Sequence, residues 1–451
     1  MRSLSAVWRN RGLRRLFGAQ VLSLSGSGAY VVALAAVVID RHRSVEWIGL
    51  LAAARYIPAA LAMPAAGHLV DRVPKARALV GSDLAAAAVQ VALIALLASG
   101  GPLTALVALA AVGGVVQSVY QPGVGALLPE LSGPDDLVAA SSIGEIVYAS
   151  GVVAGPAIGG LLLVVASPSW ALGYNAATFA ISALLVAGLD RATAPAGLEG
   201  PAPLGAPPPS DQPAAPSARS PASGPGSSTG AGAGLLSRLG SAAALGLRAL
   251  WSARPALYLA AVPMVGTLVF GADQVLLPAV SRGPLHAGAT AYPWLLAALG
   301  LGGALCAPFV ESLTSGRSSA VMVVAGFAVF TAPTALLVVS HSVPLDVAVE
   351  AVQGTGTIIA DVVGLTALQL ALPAGQRGRA LGVFFALVAA APGLGSLLAG
   401  GLIASLGIDW ALLVLGPALA LGAVASLPWL ARRTRVAGAA EAEAEPVTAA
   451  G

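Results

Sequence analysis

Apolar residues in this chain do not alternate with polar ones. They come in runs of about twenty, separated by short clusters of charge, proline and glycine. At 1.5 Å rise per residue, about twenty helical residues cross a hydrocarbon layer of about 30 Å, so such runs predict transmembrane helices. Twelve are found: 16–39, 47–67, 78–98, 103–127, 139–165 and 169–189, then 256–280, 290–312, 319–340, 344–371, 380–405 and 410–430. Between the sixth and seventh the pattern stops. Residues 191–234 hold ten prolines and eight glycines and no apolar run, which predicts a flexible linker. The expected organisation is a six-helix bundle over 1–190, the linker 191–234, an interfacial amphipathic helix over 235–255, a second six-helix bundle over 256–431 and a tail over 432–451. The amphipathic reading of 235–255 rests on Leu236, Leu239, Ala243, Leu247 and Leu250 at helical spacing, beside Arg238, Arg248 and Trp251. A plain extension of the seventh span fits that stretch equally well.

Charge sets the expected orientation. With the N-terminus inside, 19 of the 23 basic residues fall in inside segments and three (Arg41, Arg43 and Arg282) outside, while Arg55 lies within a span. That asymmetry predicts both termini in the cytoplasm. The arginine-rich start has no cleavage-site pattern, so the first span is expected to be retained.

Composition narrows the function. Apolar residues make up 57% of the chain and charged residues 10%, against roughly 25% charged in a soluble domain. A net charge of +3, scattered along the chain, is no nucleic-acid footprint. Cys306 stands alone, which excludes an intramolecular disulfide, and the four histidines are far apart, so no local metal motif exists. The only lysine, Lys75, is followed by Ala76, so the phosphate-binding loop GxxxxGK[ST] is absent. Gly226-Ser227-Ser228-Thr229-Gly230 matches the hydrolase pattern GxSxG, but it lies in the linker without the strand and helix that would expose the serine. No enzyme activity and no cofactor are expected.

The two halves echo each other. An acid opens and an arginine closes both Asp71-Arg72-Val73-Pro74-Lys75-Ala76-Arg77 and Glu311-Ser312-Leu313-Thr314-Ser315-Gly316-Arg317, each following the second span of its half. Pro156 and Gly159 of span 5 likewise match Pro392 and Gly395 of span 11. Parallel repeats of this kind build transporters with a site between the halves.

Three stretches resemble a known family. Gly67-His68-Leu69-Val70-Asp71-Arg72-Val73-Pro74-Lys75-Ala76-Arg77 is similar to the G-x-L-a-D-R-x-x-R/K-x-R loop of the major facilitator superfamily. That resemblance implies a gating loop, formed by Gly67, Asp71, Arg72, Lys75 and Arg77, that latches the outward-open state. Gly151-Val152-Val153-Ala154-Gly155-Pro156-Ala157-Ile158-Gly159-Gly160 resembles the gxxxGPxxGG motif of the superfamily's drug:proton antiporters. Independently of the family, Gly151, Gly155 and Gly159 form one bare stripe for close helix packing, and Pro156 removes a backbone hydrogen bond. The stretch from Asp361 to Gln369, with Pro373 and Gln376-Arg377-Gly378-Arg379, is similar to segments linking spans 10 and 11 in bacterial exporters of the macrolide and siderophore type, and Leu127–Leu131 is expected to be the matching loop of the first half. The implied fold is all-α integral membrane: twelve transmembrane helices in two pseudo-symmetric six-helix bundles. Span 4 carries Gln117, Tyr120 and Gln121 but lacks the arginine found there in many such antiporters, so that relay is not carried over.

Charges within spans mark the candidate chemistry, because each costs roughly 2.5–3.5 kcal/mol in hydrocarbon unless it faces a cavity or a partner. The resemblance implies a cavity lined by spans 1, 4, 7 and 10. That makes Asp273, Glu350 and Asp361 candidates for binding a proton or a cationic substrate, with Arg55 either functional or paired to a carboxylate. Gln117, Tyr120, Gln121 and Gln353 are expected to line the cavity, and Asp83 and Glu145 to be structural or part of the gate. The reading is a monomeric secondary transporter of the plasma membrane. It exports a small amphipathic molecule, drug-like or a secondary metabolite, against inward proton flow. A facilitative or uptake carrier of the same fold, or a transport-inactive scaffold or sensor, are the alternatives.

Overall fold

The computed structural model describes residues 9–41, 44–189, 245, 247, 248, 250, 251, 254–372 and 374–444. The linker 191–234 and most of the segment 235–255 lie outside the described residues, as does the end of the tail. Among the described residues, twelve helices are long and apolar enough to span a bilayer. In chain order they are α1 Arg11–Asp40, α2 Glu46–Arg72, α3 Lys75–Ala98, α4 Leu103–Gly133, α5 Ala139–Val165, α6 Pro168–Ala187, α7 Ala256–Arg282, α8 Tyr292–Thr314, α9 Ser319–Val339, α10 Val343–Ala371, α11 Ala380–Leu406 and α12 Ile408–Arg432. Each matches an apolar run of the sequence, shifted by a few residues at its ends.

Two expected loops prove to be largely helical. Gly67 to Arg72 forms the last turns of α2, and α3 begins at Lys75, so only Val73 and Pro74 break the helix. Proline pushes the residue before it out of the α region, and Val73 is extended at φ −113° and ψ 148°. Leu127–Leu131 likewise lies inside α4, which runs on to Gly133. There the backbone takes φ 71°, a left-handed value that glycine adopts without strain, and this splits α4 from α5.

The helix pairings repeat between the halves. α1 packs on α5 as α7 packs on α11, α2 on α4 as α8 on α10, and α3 on α6 as α9 on α12. The contacts joining the halves repeat too: α2 lies along α11, and α8 along α5. This is the pseudo-symmetry that the echoed motifs imply. The glycine stripe explains one pairing. A Cβ added at Gly155 would stand 2.8 Å from Gly28 Cα of α1, and one at Gly159 would stand 2.8 Å from Ala29 Cα, so these backbones touch. In the second half, Gly395 of α11 meets the Leu268 carbonyl of α7 in the same way.

The bundle has two unlike ends. One carries Arg11, Arg14, Arg15, Arg72, Lys75 and Arg77 and is called the basic face; the other is the far face. A single apolar cluster closes the far face and draws on both halves, from Val32, Val38 and Leu51 to Val275, Leu295 and Leu412. Near the basic face every cluster stays within one half. Leu16, Leu79 and Leu127 pack in the first half, and Leu250, Leu368 and Phe384 in the second. Helices α1 and α7 report the same asymmetry. Residues 32–39 and 271–281 are buried on every side, whereas toward the basic face both helices are only partly covered. The two halves therefore meet at the far face and part toward the basic face.

Candidate functional site

Polar side chains gather at one depth beneath the far face. Tyr30 of α1, Arg55 of α2, Asp273 of α7 and Glu350 of α10 each lie seven to ten residues from the far end of their helix, about 10–15 Å down. Asp273 and Glu350 are 3% and 1% exposed. Glu350 Oε1 accepts a 3.2 Å hydrogen bond from Gln353 Nε2, one turn along α10, while Oε2 has no partner. The charges of Asp273 and of Asp346 both act on Glu350. Asp273 keeps an unpartnered Oδ2 and faces Tyr292 of α8, whose buried hydroxyl also lacks a hydrogen bond. Three carboxylates of the second half thus share one dry region, and among the described residues none is paired with a lysine or arginine.

Asp346 is the member that sequence reasoning missed. It is fully buried, and neither carboxylate oxygen makes a hydrogen bond of ordinary geometry, although Ser340 and His341 lie beside it. The available signal was spacing: Asp346, Glu350 and Gln353 stand at i, i+4 and i+7 and share one helix face.

Arg55 does not pair with a carboxylate. Its guanidinium lies over the Tyr30 ring at 4.8 Å from the centroid, and 5.7 Å from that of Tyr56, a cation–π arrangement. Its Nη1 is buried without a hydrogen-bond acceptor, beside a small cavity that Gln274 also lines. Gln274 Nε2 donates to Tyr56 Oη at 3.1 Å, and Ser396 Oγ of α11 donates to Gly49 O of α2 at 3.2 Å. Both bonds cross between the halves on the far side.

The other expected residues fall elsewhere. Asp361 is on α10 eleven residues beyond Glu350, about 16 Å toward the basic face, so it does not join the acidic group. Gln117, Tyr120 and Gln121 sit on α4 in the basic-side half; Tyr120 is buried, Gln117 half-buried and Gln121 exposed. Glu145 lies outside the described side chains. At the basic face Lys75 donates to the Glu130 carboxylate at the end of α4, an ion pair within one half. Asp71, Arg72 and Arg77 are exposed, and Gly67 has open space where a Cβ would go. Among the described residues no ion pair joins Asp71 to the other half. All five residues of the span 5 motif, Gly151, Gly155, Pro156, Gly159 and Gly160, are buried. The first four face α1 or lie beside it; Gly160 faces Pro293 of α8, so the motif reaches across to the second half.

Comparison with known proteins agrees with this architecture. Residues 16–282 and 264–450 match the family model described as Major Facilitator Superfamily. The chain is similar to a multidrug efflux pump, Tap, of Mycolicibacterium fortuitum, at 28% identity over 422 residues, covering 89% of this chain and 91% of that protein. Among solved structures it resembles the nucleoside transporter NupG (TM-score 0.67, 13% identity, covering 93% of this chain and 98% of that one). It also resembles a POT family transporter in complex with 5-aminolevulinic acid (TM-score 0.66, 13% identity, covering 93% and 97%). At such identities these two likenesses speak for the fold alone.

Proposed function

The chain belongs to the Major Facilitator Superfamily, and on that premise we propose that it exports a small amphipathic molecule, drug-like or a secondary metabolite, by alternating access coupled to inward proton flow. The direction is drawn from the similarity to a multidrug efflux pump along nearly the whole chain and from the span 5 motif. The proton coupling is carried by one observation, the group Asp273, Asp346 and Glu350, buried together with no lysine or arginine paired to it among the described residues. Bare carboxylates in a dry site repel one another and lack hydration, so a proton or a cationic substrate relieves them. Gln353 holds Glu350 by its hydrogen bond, and Tyr292 packs beside Asp273. The small cavity beside Arg55 is lined mainly by Val31, Leu34, Ala35, Ile48 and Leu51, with Tyr30, Arg55 and Gln274 as its polar groups, a mixture that suits an amphipathic solute.

In this reading the protein is a monomer of the plasma membrane with both termini in the cytoplasm. The basic face is then cytoplasmic, and the conformation described is open inward. Asp71 stands free because its latching partner belongs to the opposite state. Arg55, held over Tyr30 at the rim of the closed side, is the group that meets solute when the far face opens. Gln117, Tyr120, Gln121 and Asp361 line the inward-facing side of the path. The test is efflux from loaded cells with and without a protonophore. Export that collapses with the proton gradient supports the reading, and export of equal rate in both conditions overturns the coupling. Accumulation in right-side-out vesicles, rather than export, would make it an uptake carrier.

A further inference from the structure

One buried acid takes no part in the site above. Asp83 of α3 is completely covered. Its Oδ2 accepts a 2.6 Å hydrogen bond from Ser182 Oγ of α6, and its Oδ1 has no partner. Tyr120 of α4, more than nine-tenths buried, carries a hydroxyl that likewise lacks a hydrogen bond. That hydroxyl sits beside Asp83, Ser182 and Ser23 of α1. Three helices of the first half, α3, α4 and α6, therefore meet at one carboxyl group, and Ser23 of α1 adjoins the Tyr120 hydroxyl.

Among the described residues no lysine or arginine is paired with it. On its own helix, Lys75 is tied to Glu130, and Arg77 is exposed six residues away, about 120° round the helix. The helices packed on α3 offer Glu46, Arg55, Tyr56, His68, Asp71 and Arg72 from α2, Tyr120 and Glu130 from α4, and Tyr174 from α6. Of these, Tyr120 has its hydroxyl beside Asp83; Tyr174 is engaged with Ser25 and Arg55 with Tyr30. An ionised carboxylate here would keep a lone oxygen and an unbalanced negative charge in a dry interior, which is costly. A neutral acid removes the charge and gains a donor at the atom that has none. The Ser182 bond to Oδ2 survives, and an O–H on Oδ1 points its proton at the Tyr120 hydroxyl oxygen.

We propose that Asp83 is a second proton-binding site, confined to the first half, in which Ser182 donates to one carboxyl oxygen while the oxygen of Tyr120 receives the proton carried by the other. The site lies in the basic-side half of the membrane, whereas Asp273, Asp346 and Glu350 lie toward the far face. It stands whether or not those acids drive transport. Losing its proton puts a charge at the junction of α3, α4 and α6, so water or a cation has to enter and the junction loosens.

The test is infrared difference spectroscopy of the full-length protein in nanodiscs as pH is stepped upward from neutral, where exposed carboxyl groups are already ionised. The background variant carries Asp273→Asn, Asp346→Asn, Glu350→Gln and Asp361→Asn. A protonated-acid band that persists in this background and disappears on adding Asp83→Asn supports the site. Absence of any such band in the monodisperse background protein overturns it. So does a band that NaCl suppresses at fixed pH while choline chloride does not, since the ligand is then a sodium ion. Should Asp83→Asn fail to fold, Ser182→Ala serves instead. Loss of the donor to Oδ2 must shift the band to higher frequency, and an unmoved band overturns the proposal. Because the coupling acids are already removed, efflux plays no part in the outcome.

Discussion

Glu350 is the residue on which the acidic group turns, since it feels both Asp273 and Asp346 and holds the Gln353 bond. Glu350→Gln keeps the shape and the hydrogen bond and removes the charge. Protonophore-sensitive efflux should fall at least tenfold while the protein remains monodisperse, as measured by dye export from loaded cells. The neighbouring Asp346→Asn should lower the same component, which would place that residue within the group. Tyr56→Phe acts on conformation instead. It deletes the 3.1 Å bond from Gln274 across the halves, worth about 0.5–1.5 kcal/mol, and so favours opening of the far face by up to about tenfold. Thiol-labelling rates from the far side read that shift. Single residues were legible in the sequence where charge inside an apolar run stands out, as for Asp273, Glu350 and Arg55. Asp346 was hidden because it lies in the first turn of α10, where an acid passes for a helix-end residue. The stacking of Arg55 on Tyr30 was not legible, because no spacing rule links side chains of different helices.

Helix positions follow from the apolar runs, since a bilayer tolerates no unpaired backbone and each run has one way to satisfy its own. Ends were less legible. The charged tract looks like a loop by composition, yet it stays helical through Arg72 and resumes at Lys75, so only Val73 and Pro74 interrupt it. The packing of glycine-bearing helices yields a pair of opposed predictions. A Cβ at Gly160 of α5 would lie 2.5 Å from Pro293 Cβ of α8, so Gly160→Val wedges the seam on the far side. In a Cys306→Ser background with Val38→Cys, a residue with no exposure here, an impermeant thiol reagent should modify the wedged variant and spare the parent. Gly67→Val meets nothing within 4 Å in this conformation. Its melting temperature should match the parent's, yet efflux should drop, because the added bulk collides only when the basic face closes.

For the whole molecule, the echoed motifs revealed two equivalent halves, and the matched pairings α1 with α5 and α7 with α11 follow from the glycines they share. Which end is shut was not legible, because a rocking bundle must encode both states in one sequence and the same apolar side chains serve each. Two predictions belong at this scale. Reporter tags fused to the two ends should be active on the same side of the membrane, and tags on opposite sides would break the orientation argued from charge. Asp71→Asn should leave the conformation described here intact and depopulate the opposite one. Protease or thiol access from the basic face should therefore rise while transport falls.

The seal formed by residues 32–39 and 271–281 has a pharmacological corollary. With the basic face toward the cytosol, a compound added to the medium finds no foothold on this resting form: every groove it could wedge into begins on the other side. A blocker of this state has to be membrane-permeant, and a cell that expels foreign molecules would be expelling its own inhibitor along the route that inhibitor is meant to plug.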